Sequence, residues 1–351
     1  MKKRQILYIV EDVKSAQFRY RVKNVIEALE RSCEWEARFE LTGKISKKEL
    51  DAADLIVILR QTAKDRKILD LIDDIHKCGK KVLFDLDDLI FDYKDLLVLM
   101  RGTNSRNIVY WVGYMWGIRR IAKKVDGFIT TNNFLGKKLE SSFNKPVRVI
   151  PNSLDTKQLE IAEVCLKEGK SHDGFIVGYF SGSPTHAKDL QMVEGEMLRF
   201  LDAHEDAKFR VTGYVELSKK MQEKLKDGQV ETFELVDYLE QMKMMAKVDV
   251  NIAPLVINDF TNSKSELKFF EAAVVETTTI ASPNYAFKKA IVDFKNGFLA
   301  EPNEWYNKLE YVHKHVEENQ KIAKNARRYV LDNYYGEKFL KGVEETYEFF
   351  G

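Results

Sequence analysis

Asn262-Ser263-Lys264-Ser265-Glu266-Leu267-Lys268-Phe269-Phe270-Glu271 lies between an apolar run ending at Pro254-Leu255 and the β-branched run Thr277-Thr278-Thr279-Ile280. The stretch reads as a polar loop turning into a helix between two strands, the repeating unit of a parallel sheet. Ser263 or Ser265 is placed to cap the helix, and Glu266 falls in its first turn. Leu267, Phe270 and Val274 recur at helical spacing and face a core. Lys264, Lys268 and Glu271 fall on or near another face, with Lys268 and Glu271 one turn apart. A helix N-terminus flanked by lysines is a seat for phosphate. A carboxylate one turn further in can accept hydrogen bonds from a sugar diol. Taken alone, the decapeptide reads equally well as a surface helix with a Lys–Glu pair.

The same unit repeats on both sides. Ile6–Val10, Trp35–Leu41, Leu55–Leu59, Val82–Phe84, Gly127–Thr131 and Val147–Ile150 are predicted strands. Helical patterns over Val22–Leu29, Lys64–Lys77, Ile108–Lys124 and Asn133–Ser141 alternate with them. Pro151-Asn152-Ser153-Leu154-Asp155 is a turn-rich break, and the polar segment as far as His172 reads as a linker. The pattern restarts with strands at Phe175–Tyr179, Phe209–Val211, Val230–Leu235, Val248–Ile252, Thr279–Ala281 and Phe298–Leu299. Helices are expected from His186 to Ala203 and up to Met245, and two long ones, Asn303–Glu317 and Asn319–Phe350, close the chain. Such alternation makes parallel α/β sheets with right-handed crossovers.

A chain of 351 residues is long enough for two domains with separate cores. Hydrophobic residues make up 44% and charged residues 32%, the balance of a globular protein. Lys and Arg number 56 against 55 Asp and Glu, so no basic field marks a nucleic-acid binder. Three scattered cysteines, Cys33, Cys78 and Cys165, give no disulfide framework and suit a reducing compartment. The six histidines show no metal-ligand spacing; His313 and His315 point in different directions on one helix. No apolar run reaches the roughly 18 residues of a membrane span. A cytoplasmic location follows, with contact at the inner membrane face as a further expectation.

In open α/β sheets, ligands bind beyond the carboxyl ends of the strands. That rule selects Glu11–Tyr20, Arg60-Gln61 and Asp85–Asp88 in the first half. In the second half it selects Ser181–Lys188, Gly213-Tyr214 and Pro254–Lys264. Ser181-Gly182-Ser183 lets backbone approach a diphosphate, with Lys188 adding charge. Asp85, Asp87 and Asp88 invite a metal reading. Strand alternation puts Asp85 and Asp87 on one face and Asp88 on the other, so a cleft-lining or acceptor role is favoured over a metal cage. Arg19, Arg21 and Arg60 suit phosphate or carboxylate recognition, or structural ion pairs. Tyr110, Trp111, Tyr114 and Trp116, followed by Arg119, Arg120, Lys123 and Lys124, suit either an anionic membrane surface or an ordinary core face, and core-like spacing favours the core.

Several motifs together resemble one family. Val149-Ile150-Pro151-Asn152-Ser153-Leu154-Asp155 is similar to the V-I-P-N-G-x-D hinge of retaining GT-B glycosyltransferases of the large family-four group. Gly178-Tyr179-Phe180-Ser181-Gly182-Ser183, with His186, Lys188 and Asp189, resembles the opening of their donor domain. Asp249 through Pro254-Leu255 to Glu271 resembles the donor segment of a bacterial polysaccharide subgroup, Asn296-Gly297-Phe298-Leu299 and Glu304-Trp305 fit the same order, and Lys81 to Asp92 in the first half also resemble that subgroup.

The resemblance implies an α/β fold of GT-B type, two Rossmann-like domains whose parallel sheets face each other across a cleft. It implies an acceptor domain over residues 1–155, a nucleotide-sugar donor domain over 156–330, and a last helix over 331–351 returning to the first domain. The expected activity is sugar transfer with retention from a nucleoside-diphosphate sugar to a glycan or lipid-linked acceptor, with no metal and no cofactor. Ser181, Gly182, Ser183, His186, Lys188, Gly213, Ser263, Lys264, Ser265, Lys268 and Glu271 are the donor candidates. Arg19, Tyr20, Arg60, Asp85 and Asp87 are the acceptor candidates, and Asp87, Lys188, Lys264 and Glu271 the catalytic ones. Glu271 matches the second glutamate of the family's pair, which holds the nucleotide ribose. The first, eight positions earlier, is Ser263 here, and the family's glycine-rich loop after the first strand is replaced by Glu11–Tyr20. An inactive partner subunit and a nucleotide-sugar isomerase of the same fold are the alternatives.

Overall fold

The computed structural model describes residues 2–182 and 187–351, the side chains of Ala187 and Lys188 excepted. Ile6–Val10 and Leu55–Leu59 are continuous apolar runs, and both are buried on both faces, as strands covered by helices on either side must be. They belong to a six-stranded parallel sheet of β1 (Arg4–Val10), β2 (Trp35–Leu41), β3 (Leu55–Leu59), β4 (Lys81–Asp85), β5 (Gly127–Thr130) and β6 (Val147–Val149), in the order β2-β1-β3-β4-β5-β6. A second parallel sheet holds β7 (Phe175–Ser181), β8 (Ala207–Gly213), β9 (Val230–Phe233), β10 (Val250–Ala253), β11 (Thr278–Ala281) and β12 (Phe298–Leu299), in the order β12-β11-β10-β7-β8-β9. Strand order reverses between β1 and β3 in the first sheet and between β7 and β10 in the second. A crevice opens at such reversals beyond the carboxyl ends of the strands. Here it takes in the loops after Val10, Leu59, Ser181 and Ala253.

Three expectations are corrected. The segment after Asp155 is not a linker but a helix, Thr156–Glu168, opened by a capping box in which Asp155 and Gln158 satisfy each other's backbone N–H. Ala162 and Cys165 bury into the second core, so the connection shrinks to Pro151–Asp155. The last helical pattern is broken at Tyr335-Gly336, where the Gly336 N–H caps the Leu331 carbonyl at 2.8 Å. Val316–Tyr334 still packs in the second core, and only Glu337–Phe350 crosses back. Its Phe339, Leu340, Val343, Tyr347 and Phe350 complete one face of the first sheet, and Tyr347 and Tyr8 join their hydroxyls there. Short helices at Lys47–Ala52, Lys219–Lys226, Asp259–Asn262 and Tyr285–Ala290 carry too few periodic residues to stand out in the sequence.

The two halves exchange one aromatic each. Tyr20, from the first half, packs in the second core, and Phe260, from the second half, packs in the first. Phe260 explains Gly102, where a Cβ would lie 2.3 Å from the Phe260 ring. Phe260 also lines the cavity between the halves.

Candidate active site

The Leu267–Val274 helix lies at the reversal of the second sheet, and it is a core helix rather than the surface one its charges suggested. Every residue from Phe269 to Val274 is buried, Glu271 included, because the helix is covered by Val316–Tyr334 as well as by its own sheet. Neither serine caps it. Glu266 occupies the cap position without a capping side-chain bond, and its carboxylate instead accepts from the Tyr334 hydroxyl at 2.6 Å. Ser263 is fully buried and donates to the Asp259 carbonyl at 2.8 Å, closing the Asp259–Asn262 helix. Ser263 is therefore withdrawn as a donor contact. Ser265 accepts from the Asn152 amide at 3.0 Å, joining the interdomain connection to this loop.

Glu271 meets the first half of the chain directly. The Tyr20 hydroxyl donates to its Oε1, and the Arg19 guanidinium donates to the same hydroxyl at 2.6 Å while lying 3.6 Å from the centre of the Tyr238 ring. Burial raises the Glu271 carboxyl above its usual range against the pull of Arg19. Tyr20, 3% exposed, acts as a bridge between the halves and not as an open acceptor contact. One turn from Glu271, the Lys268 Nζ is buried with no hydrogen-bond partner among the described residues. It sits 4.5 Å from the centre of the Tyr179 ring. Burial brings this ammonium down to about 8, opposed by Asp189 and Glu271. Most of its population still carries charge at neutral pH, in a place poor in water. An anionic ligand is the missing partner such a group can take.

Lys264 is paired with an acid from the first half of the chain. Its Nζ is held by both Asp88 oxygens, at 2.9 and 3.0 Å. Arg60 reaches Asp87 at 3.0 Å and Asp88 at 3.6 Å. Burial pushes the Asp88 carboxyl up, but Lys264 and Arg60 outweigh it and hold it below the usual range. The expected separation of Asp87 from Asp88 is corrected: β4 ends at Asp85, the pleat stops, and both carboxylates turn to one guanidinium. Asp85 leaves the acceptor group altogether. It is 1% exposed, and Arg21 holds both its oxygens at 3.0 Å inside the first core.

Three of the remaining candidates, Ser181, Gly182 and Gly213, lie at the carboxyl ends of β7 and β8. Ser181 is the buried end of β7, and Gly182 is exposed with nothing within 4 Å of a built Cβ. Gly213 has φ +93°, and a Cβ there would stand 2.0 Å from the Ser181 carbonyl, so only glycine lets β8 end beside β7. Ser183, His186 and the side chain of Lys188 lie outside the described residues. Sequence reading missed a cavity of ≈ 370 Å³ between the halves, lined by Val98, Arg101, Asp189, Leu255, Asn258, Phe260 and Lys264 among others. That volume is in the range of small-molecule sites. Asp189 also accepts from the Val256 N–H at 3.1 Å, fixing the cavity wall. Arg101 and Val98 carried no local signal, because their helix meets the second half through long-range packing such as the Phe260–Gly102 contact.

Residues 194–341 match the family model described as glycosyl transferase-like. No curated protein sequence matches the chain. Among solved structures, HepE from Anabaena is similar with TM-score 0.65 and 13% identity, covering 98% of this chain and 99% of its own. Sucrose-phosphate synthase from Thermosynechococcus elongatus gives TM-score 0.64 at 14% identity, with 99% and 98% covered. The fold is GT-B. A glycosyltransferase from Rickettsia africae has the same GT-B architecture, with TM-score 0.65 and 11% identity over 100% of this chain and 98% of its own. Of the charged candidates, Lys264 lines the cavity between the halves, and Asp88 is its ion-pair partner from the first half.

Proposed function

We propose that the chain is a retaining glycosyltransferase, moving a sugar from a nucleoside-diphosphate sugar to a glycan or lipid-linked acceptor in the making of a bacterial surface polysaccharide. The observation that carries this reading is the Lys268–Glu271 turn: a buried ammonium with no hydrogen-bond partner among the described residues, beside a buried carboxylate, at the reversal of the second sheet. Solved structures of HepE include complexes with UDP and with UDP-glucose, and TarM has been captured with UDP and a glycan. We assign the diphosphate to Lys264, Lys268 and Lys188, with Ser181, Gly182 and Gly213 giving backbone access. Glu271 takes the ribose, exchanging the Tyr20 hydroxyl for sugar hydroxyls. Lysine charge would stabilise the departing diphosphate, so turnover needs no metal and no cofactor. Asp87 faces the acceptor or the developing positive charge on the sugar.

A second reading, nucleotide binding without turnover, is favoured by one observation. The position of the family's first glutamate is a buried serine already bonded to Asp259. One experiment separates the two. A thermal-shift panel of nucleoside diphosphates and their sugars is run on wild type and Glu271→Ala, followed by turnover with the stabilising donor in the presence of EDTA. A ligand at 100 times its dissociation constant stabilises by about 2.7 kcal/mol. Stabilisation of wild type alone, with turnover and retained anomeric configuration, supports transfer. Stabilisation without turnover supports the binder, and no stabilisation by any member overturns both.

The acceptor side carries a finer proposal, contact with a membrane. Among the described residues no helix is long and apolar enough to cross one. The aromatic helix of the first half, Ile108–Lys124, divides the two sequence readings between its faces. Trp111 and Tyr114 pack against the first core, as their spacing suggested, while Ile108, Val109, Tyr110, Val112 and Trp116 stand in solvent. Val109 is 79% exposed and Leu97, on the preceding helix, 63%. From Lys94 to Lys124 seven Lys and Arg face a single acid, Asp95, which is spent on Lys138. An apolar ridge in a basic field suits the surface of an anionic bilayer.

A further inference from the structure

Far from the cleft, at the amino end of the second sheet, four side chains converge that the transfer reaction does not use. His204 and Asp206 precede β8, and Glu310 and His313 lie one turn apart on the Trp305–Lys314 helix. The His204 Nε2 contacts a Glu310 carboxylate oxygen. The His313 Nε2 is 3.3 Å from an Asp206 oxygen. The two imidazole centres are 4.2 Å apart, and one ligand atom each from His204, Asp206 and His313 lie within 4.8 Å of one another.

We infer that His204, Asp206 and His313, with Glu310 beside them against His204, form a site for one divalent transition-metal ion of the zinc type, tying the Trp305–Lys314 helix to the start of β8.

The chemistry favours a cation over a purely protonic network. The His313 Nδ1 is buried with no hydrogen-bond partner among the described residues, so protons alone leave the cluster incomplete. Neutral imidazoles and carboxylates together are the donor set of Zn²⁺ and its neighbours, whereas Mg²⁺ and Ca²⁺ take oxygen. Bonds of about 2.0–2.1 Å to a tetrahedral ion put ligand atoms about 3.4 Å apart, a closure of little more than 1 Å from the present spread. The Phe175 and Phe200 rings lie against His313 and hold its plane. Asp206 is half exposed and gives an ion its way in. Lys314 now neutralises Glu310 and, being largely exposed, is free to swing into solvent. The pattern escapes a scan for local spacing because its halves, H-x-D and E-x-x-H, are 104 residues apart from Asp206 to Glu310 (310 − 206).

The test uses the full chain, stripped with EDTA and dialysed. Zn²⁺ is titrated by calorimetry, Co²⁺ by its visible absorption, and melting temperature is followed with each. The expected result is one equivalent per chain, a tetrahedral Co²⁺ spectrum and a higher melting temperature. His204→Gln and His313→Gln should each weaken binding more than about 100-fold, beyond the usual cost of losing an outer-shell partner. Nucleotide-induced stabilisation serves as the folding control and should be unchanged in both variants. Absence of saturable binding by wild type overturns the inference. So does full-affinity binding by variants that still respond to nucleotide.

Discussion

Lys264 and Asp88 form a two-pronged ion pair across the interdomain cleft, with the ammonium 2.9 and 3.0 Å from the two carboxylate oxygens. One partner comes from the loop after β4 and the other from the turn between the Asp259–Asn262 and Leu267–Val274 helices, so the pair is a latch as well as a charge balance. A diphosphate that takes Lys264 must first compete with Asp88. Asp88→Asn removes that competitor and one negative charge near the phosphates. The expected outcome is nucleoside-diphosphate binding tightened roughly two- to fivefold, the scale of a partly exposed ion pair, as read by calorimetry. Lys264→Ala should weaken it. Weaker binding by Asp88→Asn would show that the carboxylate orders the site instead of competing for it.

Lys268 joins stability to pH. Its native value of about 8 lies below the ordinary 10.5. Between those values the unfolded chain holds more protons than the native one, so stability rises with pH across about 8 to 10.5. Below about 8 the full cost of the buried charge is present. Lys268→Met keeps the volume and removes the charge, and it should stabilise the ligand-free protein by about 1–3 kcal/mol at pH 7. The same variant should bind nucleotide more weakly. In wild type, affinity should fall as pH rises through about 8, and in Lys268→Met this fall should be absent. Denaturant titration and calorimetry at pH 6.5 and 9 check both halves.

The fold was legible because it is written in local pattern. The continuous runs of β1 and β3 and the glycine or proline stops between elements identify parallel α/β halves with no reference to distant contacts. Legibility fails where a residue's role depends on what arrives from elsewhere. Tyr20 read as an acceptor contact because it sits in a loop after β1, and nothing near it announces Glu271. Ser263 read as a cap, yet the short helix before it claims its hydroxyl. Asp85 and Asp87 share a face in an ideal strand, but the strand stops at the first of them and Arg21 takes it into the core. The cluster around His204 and His313 was invisible for the same reason.

Arg21 and Asp85 give a test of that distinction. Both are 1% exposed, and the guanidinium also donates to the Ile150 carbonyl, next to the interdomain connection. Removing one partner leaves a buried charge uncompensated, which typically costs 3–5 kcal/mol. Asp85→Asn and Arg21→Met should each lose about that much in urea titration, and the double variant should lose less than the sum. Nucleotide affinity measured on the folded fraction should not change. A large loss of affinity in Asp85→Asn, with stability intact, would return Asp85 to the site.

The exposed ridge at Ile108–Trp116 makes the last prediction. Ile108, Val109 and Tyr110 on the first turn of the helix are each more than half exposed, and Arg120 lies 4.5 Å from the centre of the exposed Trp116 ring. Each basic residue near an anionic surface adds about 1 kcal/mol, and the attraction fades within a Debye length. Wild type should therefore float with vesicles containing phosphatidylglycerol, bind pure phosphatidylcholine poorly, and be released by salt. Val109→Asp with Tyr110→Asp changes only exposed positions, so folding and nucleotide binding should persist while vesicle binding drops at least about tenfold. Equal binding to neutral and anionic vesicles would remove the electrostatic half of the argument. Concentration-dependent dimerisation lost in the same double variant, with no vesicle binding by wild type, would assign the ridge to a second copy of the chain.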